Sequence, residues 1–96
     1  MAILKQITGN LTDEVIARKY VDISVSKVRI TCRHDSTALI VDRLYLDDGT
    51  TEYDIIANVT IPVGAVLEVS VPAYNYKVHD LKITTTNSSN CTLIIR

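Results

Sequence analysis

The stretch that decides the fold is residues 38–57, with the sequence ALIVDRLYLDDGTTEYDIIA. Its first half is an apolar run rich in branched side chains. Its second half, residues 51–57, alternates so that Tyr53 and Ile55 share one face. Between the halves lies Asp48-Gly49, a dipeptide that favours a tight turn because glycine adopts positive φ without steric cost. Two strand-like runs joined by such a turn predict a β-hairpin.

Strand patterns continue on both sides of this hairpin. Before it, residues 21–25 and residues 28–32 each alternate, but their phases differ, which requires a bulge or a turn at Ser26-Lys27. After it, Pro62 marks an edge or a turn because proline lacks the donor of a sheet ladder. Further strand patterns occupy residues 65–71, 74–78, 81–85 and 91–95.

The spacing and composition of these runs indicate the fold class. The runs recur at intervals of about 8–12 residues, as in a sandwich or small barrel. Val, Ile and Thr make up about a third of the 96 residues and there is no Phe or Trp, a composition that suits a pleated, half-buried surface. We predict an all-β, small single-domain β-sandwich of seven to nine short, mostly antiparallel strands in residues 10–96. At most one short helix is expected, near residues 11–19, where acids precede bases; a plain loop fits that segment equally well.

Residues 1–9 form an N-terminal strand or arm in this prediction. The segment carries Ile3, Leu4 and Ile7 and is followed by the turn dipeptide Gly9-Asn10. It could be an arm that adds a strand to a partner, the first strand of the sandwich, or a frayed terminus. As an arm it would place its apolar side chains on a second protein.

Charge and hydropathy patterns exclude several kinds of partner. Ten basic and eleven acidic residues give a net charge of −1, without the basic stripe and interleaved aromatics of a nucleic-acid binder. No apolar run approaches the roughly 20 residues of a membrane helix, and no secretory signal is visible. We therefore expect neither a nucleic-acid nor a membrane partner.

Residues able to carry chemistry are present, but not at the spacing of known sites. Cys32, His34, His79 and Cys91 lack the paired spacing of structural zinc sites. We expect buried thiols without a disulfide, since the cytosol is reducing. The acids around Asp47-Asp48 favour a solvated hairpin tip over a calcium site, because adjacent side chains point apart. Phosphate-binding and nucleophile motifs are missing as well, so we expect no enzyme activity, no cofactor, no metal and no small-molecule substrate.

Residues 38–71 resemble a segment that recurs in small virion structural proteins of tailed bacteriophages. The similarity begins with Leu44-Tyr45-Leu46-Asp47-Asp48-Gly49 and the Tyr53-bearing return strand, and it continues with Ile61-Pro62-Val63-Gly64 and an x-L-x-V strand at residues 66–69. It covers about a third of the chain. Such proteins often continue with a Leu/Gly-Asp turn, where this chain has Val71-Pro72-Ala73. The family consists of compact β-sandwiches that coat, glue or join parts of a virion, without catalytic residues to carry over.

The resemblance implies a non-enzymatic virion structural protein, foremost a capsid decoration or cement protein that binds and stabilises the capsid shell. Its partners would be the major capsid protein or other virion proteins, with self-association in the assembled particle. It would be made in the host cytoplasm and located on the virion, at the capsid surface. A tail or neck component, such as an adaptor or fibre-attachment protein, and a host-surface binding module are the alternatives.

Apolar and tyrosine side chains are the candidates for the partner interface, because amphipathic rings are enriched at interfaces. The alternative for each tyrosine is that it covers a small core. The residues expected at the interface are Ile3, Leu4, Ile7, Tyr45, Tyr74 and Tyr76.

Overall fold

In the computed structural model, the described part of the chain is built from β-strands and contains no helix. The structure describes residues 3–7, 10–21, 25–32, 38–71, 74–86 and 91–96. In chain order the strands are β1 (Ile3–Ile7), β2 (Leu11–Ala17), β3 (Lys27–Cys32), β4 (Leu39–Asp47), β5 (Glu52–Ile61), β6 (Val66–Ser70), β7 (Asp80–Thr86) and β8 (Cys91–Ile95). The all-β prediction with seven to nine strands is confirmed.

The strands form two four-stranded sheets in which all pairs are antiparallel. The first sheet has the order β1-β8-β3-β6 and the second has the order β2-β7-β4-β5. Among these strands only β4 and β5 are neighbours both in sequence and in a sheet, so most connections pass from one sheet to the other. The architecture is that of a small β-sandwich.

The hydrophobic core is made of side chains on the inward faces of the strands. In β7, Leu81 and Ile83 are buried while the single residue between them is partly exposed, and the same holds for Leu93 and Ile95 in β8. Full burial of such an aliphatic side chain contributes about 1.5–3 kcal/mol. In β7 and β8 the period-two pattern of the sequence therefore corresponds to an inward and an outward face.

The β4–β5 connection is the hairpin that the sequence predicts. Asp48 N–H donates to the carbonyl of Thr51, and Gly49 has a φ of 93°. The side chains of the two aspartates support the turn, because Asp47 accepts from Gly49 N–H and Asp48 accepts from the N–H groups of Thr50 and Thr51.

A bulge also lies where the phase of alternation changes. The N–H groups of Ser26 and Lys27 both donate to the carbonyl of Arg96, at 2.8 and 2.7 Å. Two residues facing one is the defining arrangement of a β-bulge. The predicted irregularity at Ser26-Lys27 is confirmed.

The expectation for residues 11–19, a short helix or a plain loop, is wrong. Residues 11–17 are the edge strand β2, paired with β7 through two register shifts. Asp13 has a φ of 47° at the first irregularity. The charge pattern that suggested a helix typically contributes about 0.3–1 kcal/mol per charge, so pairing along β7 overrides it.

The expected strand at residues 74–78 is a turn instead. The N–H groups of Val78 and His79 donate to the carbonyl of Asn75, and Lys77 N–H donates to the Asn75 side chain. An asparagine side chain that bonds to nearby backbone offers the chain an alternative to a sheet ladder. Most of the predicted strand at residues 21–25 lies outside the described residues.

Among the alternatives for the N-terminal segment, residues 3–7 form a strand. β1 pairs with β8 along its whole length, from Ile3 opposite Ile95 to Ile7 opposite Cys91. Ile7 is fully buried in the core. β1 is thus an edge strand of the first sheet.

Candidate interaction surface

The register of the second sheet brings three connections to one end of the sandwich. Ala17 at the end of β2 and Leu46 near the end of β4 both lie opposite Leu81 at the start of β7. Leu46 also lies opposite Tyr53 at the start of β5. The β4–β5 turn, the segment after β2 and the segment before β7 therefore emerge at the same end.

Four of the five tyrosines lie at this end. Tyr20 N–H donates to the carbonyl of Tyr76 at 2.6 Å. The ring of His79 lies 6.5 Å from that of Tyr53, edge to face, and 6.4 Å from that of Tyr74, between ring centroids. We call the group formed by Tyr20, Tyr53, Tyr74, Tyr76 and His79 the tyrosine end.

The tyrosine end carries exposed apolar side chains. Tyr20 is 74% exposed and Tyr53 is 50% exposed. Val21, which follows Tyr20 in the chain, and Val78, which precedes His79, are exposed as well. Seven large hydrophobic side chains are exposed in the described part of the chain, and these four are among them. Single exposed apolar residues are normal, whereas a group of them marks an interaction site.

Hydrogen bonds to side chains hold the segments that carry these rings. Lys19 N–H donates to the carboxylate of Asp80 at 2.6 Å, which ties the segment after β2 to the start of β7. Asn75 N–H donates to His79 Nδ1 at 3.1 Å and closes the loop before β7. The Lys19 ammonium also lies 5.4 Å from the centre of the Tyr20 ring, within cation–π range. These contacts tie together the segments that carry Tyr20, Tyr74 and Tyr76.

Tyr74 belongs partly to the core and partly to the surface. Its ring packs against the core cluster. Its hydroxyl is buried and has no hydrogen-bond partner among the described residues. Burial raises the pKa of Tyr74 above its ordinary value, because the phenolate would be poorly solvated.

Two of the predicted interface residues are interior. Tyr45 is fully buried; its hydroxyl donates to the Asp13 carboxylate, and the Arg43 guanidinium lies 3.9 Å from the centre of its ring. Ile7 is also fully buried. Neither side chain is accessible to a partner in this conformation.

The other predicted interface residues do not form a single group. Leu4 is 70% exposed on β1, and the side chain of Ile3 lies outside the described part of the chain. Tyr74 and Tyr76 are brought together at the tyrosine end. Sequence reasoning missed Tyr20, because its position depends on β2 pairing with β7, and no local signal carries that information.

Charged residues on the second sheet are largely paired with one another. Arg43 contacts Glu52 at 2.8 Å and Asp54 at 2.6 Å, and these hydrogen bonds raise the Arg43 pKa. Lys82 contacts Asp47 at 2.7 Å, which holds the Asp47 pKa below its usual range. The opposite charges in these ion pairs neutralise one another and leave little unpaired charge on the second sheet for a ligand.

The described residues show no cluster suited to metal binding, in the sense of three or more His, Cys, Asp or Glu side chains together. His34, one of the residues considered for a zinc site, lies outside those residues. Asp47 and Asp48 use their carboxylates within the β4–β5 turn and with Lys82. Nor does this part of the chain contain a helix long and apolar enough to cross a membrane.

In comparisons with known proteins, the chain matches no protein-family model and no curated protein sequence.

Proposed function

We propose that this chain is a non-enzymatic assembly protein that docks on a protein partner through its tyrosine end. The observation that carries the proposal is the grouping of four tyrosines at one end of the sandwich, two of them, Tyr20 and Tyr53, well exposed. Within this class, we propose a capsid decoration or cement protein of a tailed bacteriophage, on the strength of the resemblance of residues 38–71.

Tyrosine suits such a role for physical reasons. Its ring offers a large contact area with only two side-chain torsions to immobilise, and its hydroxyl tolerates both water and a polar partner. Tyrosines are accordingly frequent among the residues that dominate binding energy. The bonds from Lys19 to Asp80 and from Asn75 to His79 fix the loops beforehand, which lowers the entropy lost on docking.

A decoration protein needs no chemistry beyond this. By binding the assembled shell and not its dissociated subunits, it stabilises the shell by mass action. The β-sandwich supplies the rigid body, and the edge strands β1, β6, β2 and β5 offer backbone groups to which a neighbouring chain could add a strand.

A second candidate function is recognition of a protein on a host cell surface. It is favoured by the location of the aromatic loops at a single end, the arrangement that immunoglobulin variable domains use for their binding loops. A tail or neck component would use the same surface with a different partner.

Copy number in purified virions tests the proposal. Quantitative gel densitometry should give a number that follows the many-fold symmetry of a capsid, in the hundreds, rather than the roughly 6 to 18 copies of a neck or tail ring. A low number would assign the protein to the neck or tail. Absence from virions would overturn the virion proposal altogether.

Binding measurements on variants test the surface itself. We expect Tyr20→Ser combined with Tyr53→Ser to weaken binding to capsids that lack the protein by about 30-fold or more, as loss of central aromatic contacts does. Leu4→Ser is the matched control, since Leu4 is 70% exposed on β1, an edge strand of the first sheet, whereas Tyr53 lies on β5 in the second sheet. If Leu4→Ser alone abolished binding, the interface would lie on β1.

Binding of the isolated domain to host cells, lost in the tyrosine variant, would favour the second candidate function.

A further inference from the structure

Cys32 at the end of β3 and Cys91 at the start of β8 lie directly opposite each other in the first sheet. Their sulfur atoms are 3.0 Å apart. Both side chains are buried in the core, with exposures of 2% and 0%. They are the two cysteines of the chain.

The hydrogen-bond pattern shows which kind of pair they form. Lys27 and Arg96 exchange two backbone hydrogen bonds, and such pairs alternate with non-hydrogen-bonded pairs along an antiparallel ladder. Cys32 is five residues after Lys27, so Cys32 and Cys91 form a non-hydrogen-bonded pair. In agreement, Cys32 N–H donates to the carbonyl of Ala65, and the Cys32 carbonyl accepts from Gly64 N–H. Both groups therefore point away from β8.

This position is suited to a covalent bond between the strands. In non-hydrogen-bonded pairs the Cα atoms are about 4.5 Å apart and the side chains approach most closely. A disulfide needs Cα atoms about 4.4–6.8 Å apart. The backbone therefore already has the required spacing.

We propose that Cys32 and Cys91 form a cross-strand disulfide when the protein meets a small-molecule disulfide such as oxidised glutathione. One thiolate attacks the oxidant, whose sulfur–sulfur bond breaks to release one thiol and leave a mixed disulfide. The second cysteine then displaces the other half of the oxidant as a second thiol. The protein loses two protons and two electrons, and the oxidant is reduced to two thiols. This proposal rests on the geometry of the pair and not on the proposed function.

Burial controls the rate of this reaction. Burial and the hydrogen bond with Cys91 raise the pKa of Cys32 to about 12, so the reactive thiolate is scarce in the folded protein. We expect oxidation to be slow in the native state and fast during refolding, when the sulfur atoms are accessible. The pair would stay reduced in a cytosol and oxidise outside it.

The bond would link β3 and β8, the two central strands of the first sheet. It would close a loop that contains most of the chain. The segment between residues 32 and 91 contains β4, β5, β6 and β7. Closing so long a loop restricts the unfolded chain more than a short cross-link does. The oxidised protein should therefore resist unfolding more strongly than the reduced one.

The test is refolding of the full chain with oxidised glutathione, with a parallel sample in a reducing buffer. Mass spectrometry should show a monomer that has lost two hydrogens, and a non-reducing digest should link the peptides of Cys32 and Cys91. The thermal midpoint should rise by at least about 10 °C and return on reduction. Cys32→Ala and Cys91→Ala are the controls: each can form at most a mixed disulfide with glutathione, and neither should gain the intramolecular bond or the rise in thermal midpoint.

Two results would overturn the proposal. One is an oxidised product consisting only of glutathione adducts or intermolecular dimers. The other is an intramolecular bond that forms only with loss of the β-sheet circular dichroism signal, which would mean that the native spacing does not accommodate it.

Discussion

The hydroxyl of Tyr45 on β4 donates a hydrogen bond to the carboxylate of Asp13 on β2, and so spans the intervening strand β7. Thr84 of β7 adds to the same contact by accepting from Asp13 N–H at 3.0 Å. Asp13 has a φ of 47°, in the left-handed region that aspartate tolerates better than most residues. A polar contact thus fixes the irregular edge strand onto the sheet.

Replacing Tyr45 by Phe tests the value of this contact. We expect Tyr45→Phe to lower the free energy of unfolding by about 1.5–3 kcal/mol, the usual net contribution of one hydrogen bond to a charged group. Tyr74→Phe is the matched control: its buried hydroxyl has no partner among the described residues, so stability should be unchanged or higher. Urea unfolding of both variants measures the difference. Equal losses would show that the Asp13 contact contributes nothing specific.

Stability should decrease in alkaline solution. The pKa of Cys32 is raised from 9.0 to about 12, and burial raises the pKa of Tyr45 above its ordinary value of 10.0. In both cases the folded state keeps a proton that the unfolded chain releases, so the stabilising contribution is complete below pH 9 and decreases above it.

Urea midpoints between pH 7 and pH 11 measure this dependence. Cys32→Ala should flatten the curve from about pH 9 upwards, and Tyr45→Phe should flatten it from about pH 10 upwards. A midpoint that stays constant to pH 11 in the native sequence would contradict the prediction.

The β4–β5 turn should depend on the backbone freedom of Gly49. Its φ is 93°, and a Cβ atom added there would meet nothing within 4 Å. The cost of a side chain is therefore conformational and not steric. We expect Gly49→Val to cost about 1–2 kcal/mol and Gly49→Asn to cost less, because asparagine tolerates positive φ better than a β-branched residue. Chemical denaturation compares the two, and equal stabilities would indicate that the turn adopts another conformation.

The sequence predicted those features that depend on nearby residues. The hairpin follows from Asp48-Gly49 between two strand-like runs, and the bulge follows from the change of phase at Ser26-Lys27. Both signals span a few residues, and the backbone responds to them locally.

Features that depend on distant pairing were missed. β2 has a local charge pattern that fits a helix and becomes a strand because β7 offers it a ladder. Tyr20 reaches the tyrosine end only through that pairing. Tyr45 looked like an interface residue because the partner of its hydroxyl, Asp13, is 32 positions away.

The two faces of β1 provide the last prediction. Ile7 is fully buried and Leu4 is 70% exposed, although both are aliphatic residues of the same edge strand. We expect Ile7→Ala to cost about 2–4 kcal/mol, since it removes core contacts and leaves a cavity. Leu4→Ala should change stability by less than about 0.5 kcal/mol.

Thermal and urea unfolding of the two variants measure this difference directly, and removal of residues 1–8 extends the test to the whole strand. We expect the shortened chain to lose its cooperative unfolding transition, because β8 would lose its partner β1 and the core would lose Ile7. A domain of this size has only about 5–10 kcal/mol of stability to lose. Equal costs for Ile7→Ala and Leu4→Ala would show that β1 does not present one face to the core. A shortened chain with normal cooperative unfolding would show that β1 is dispensable for the sandwich, and the segment would then be available to a partner.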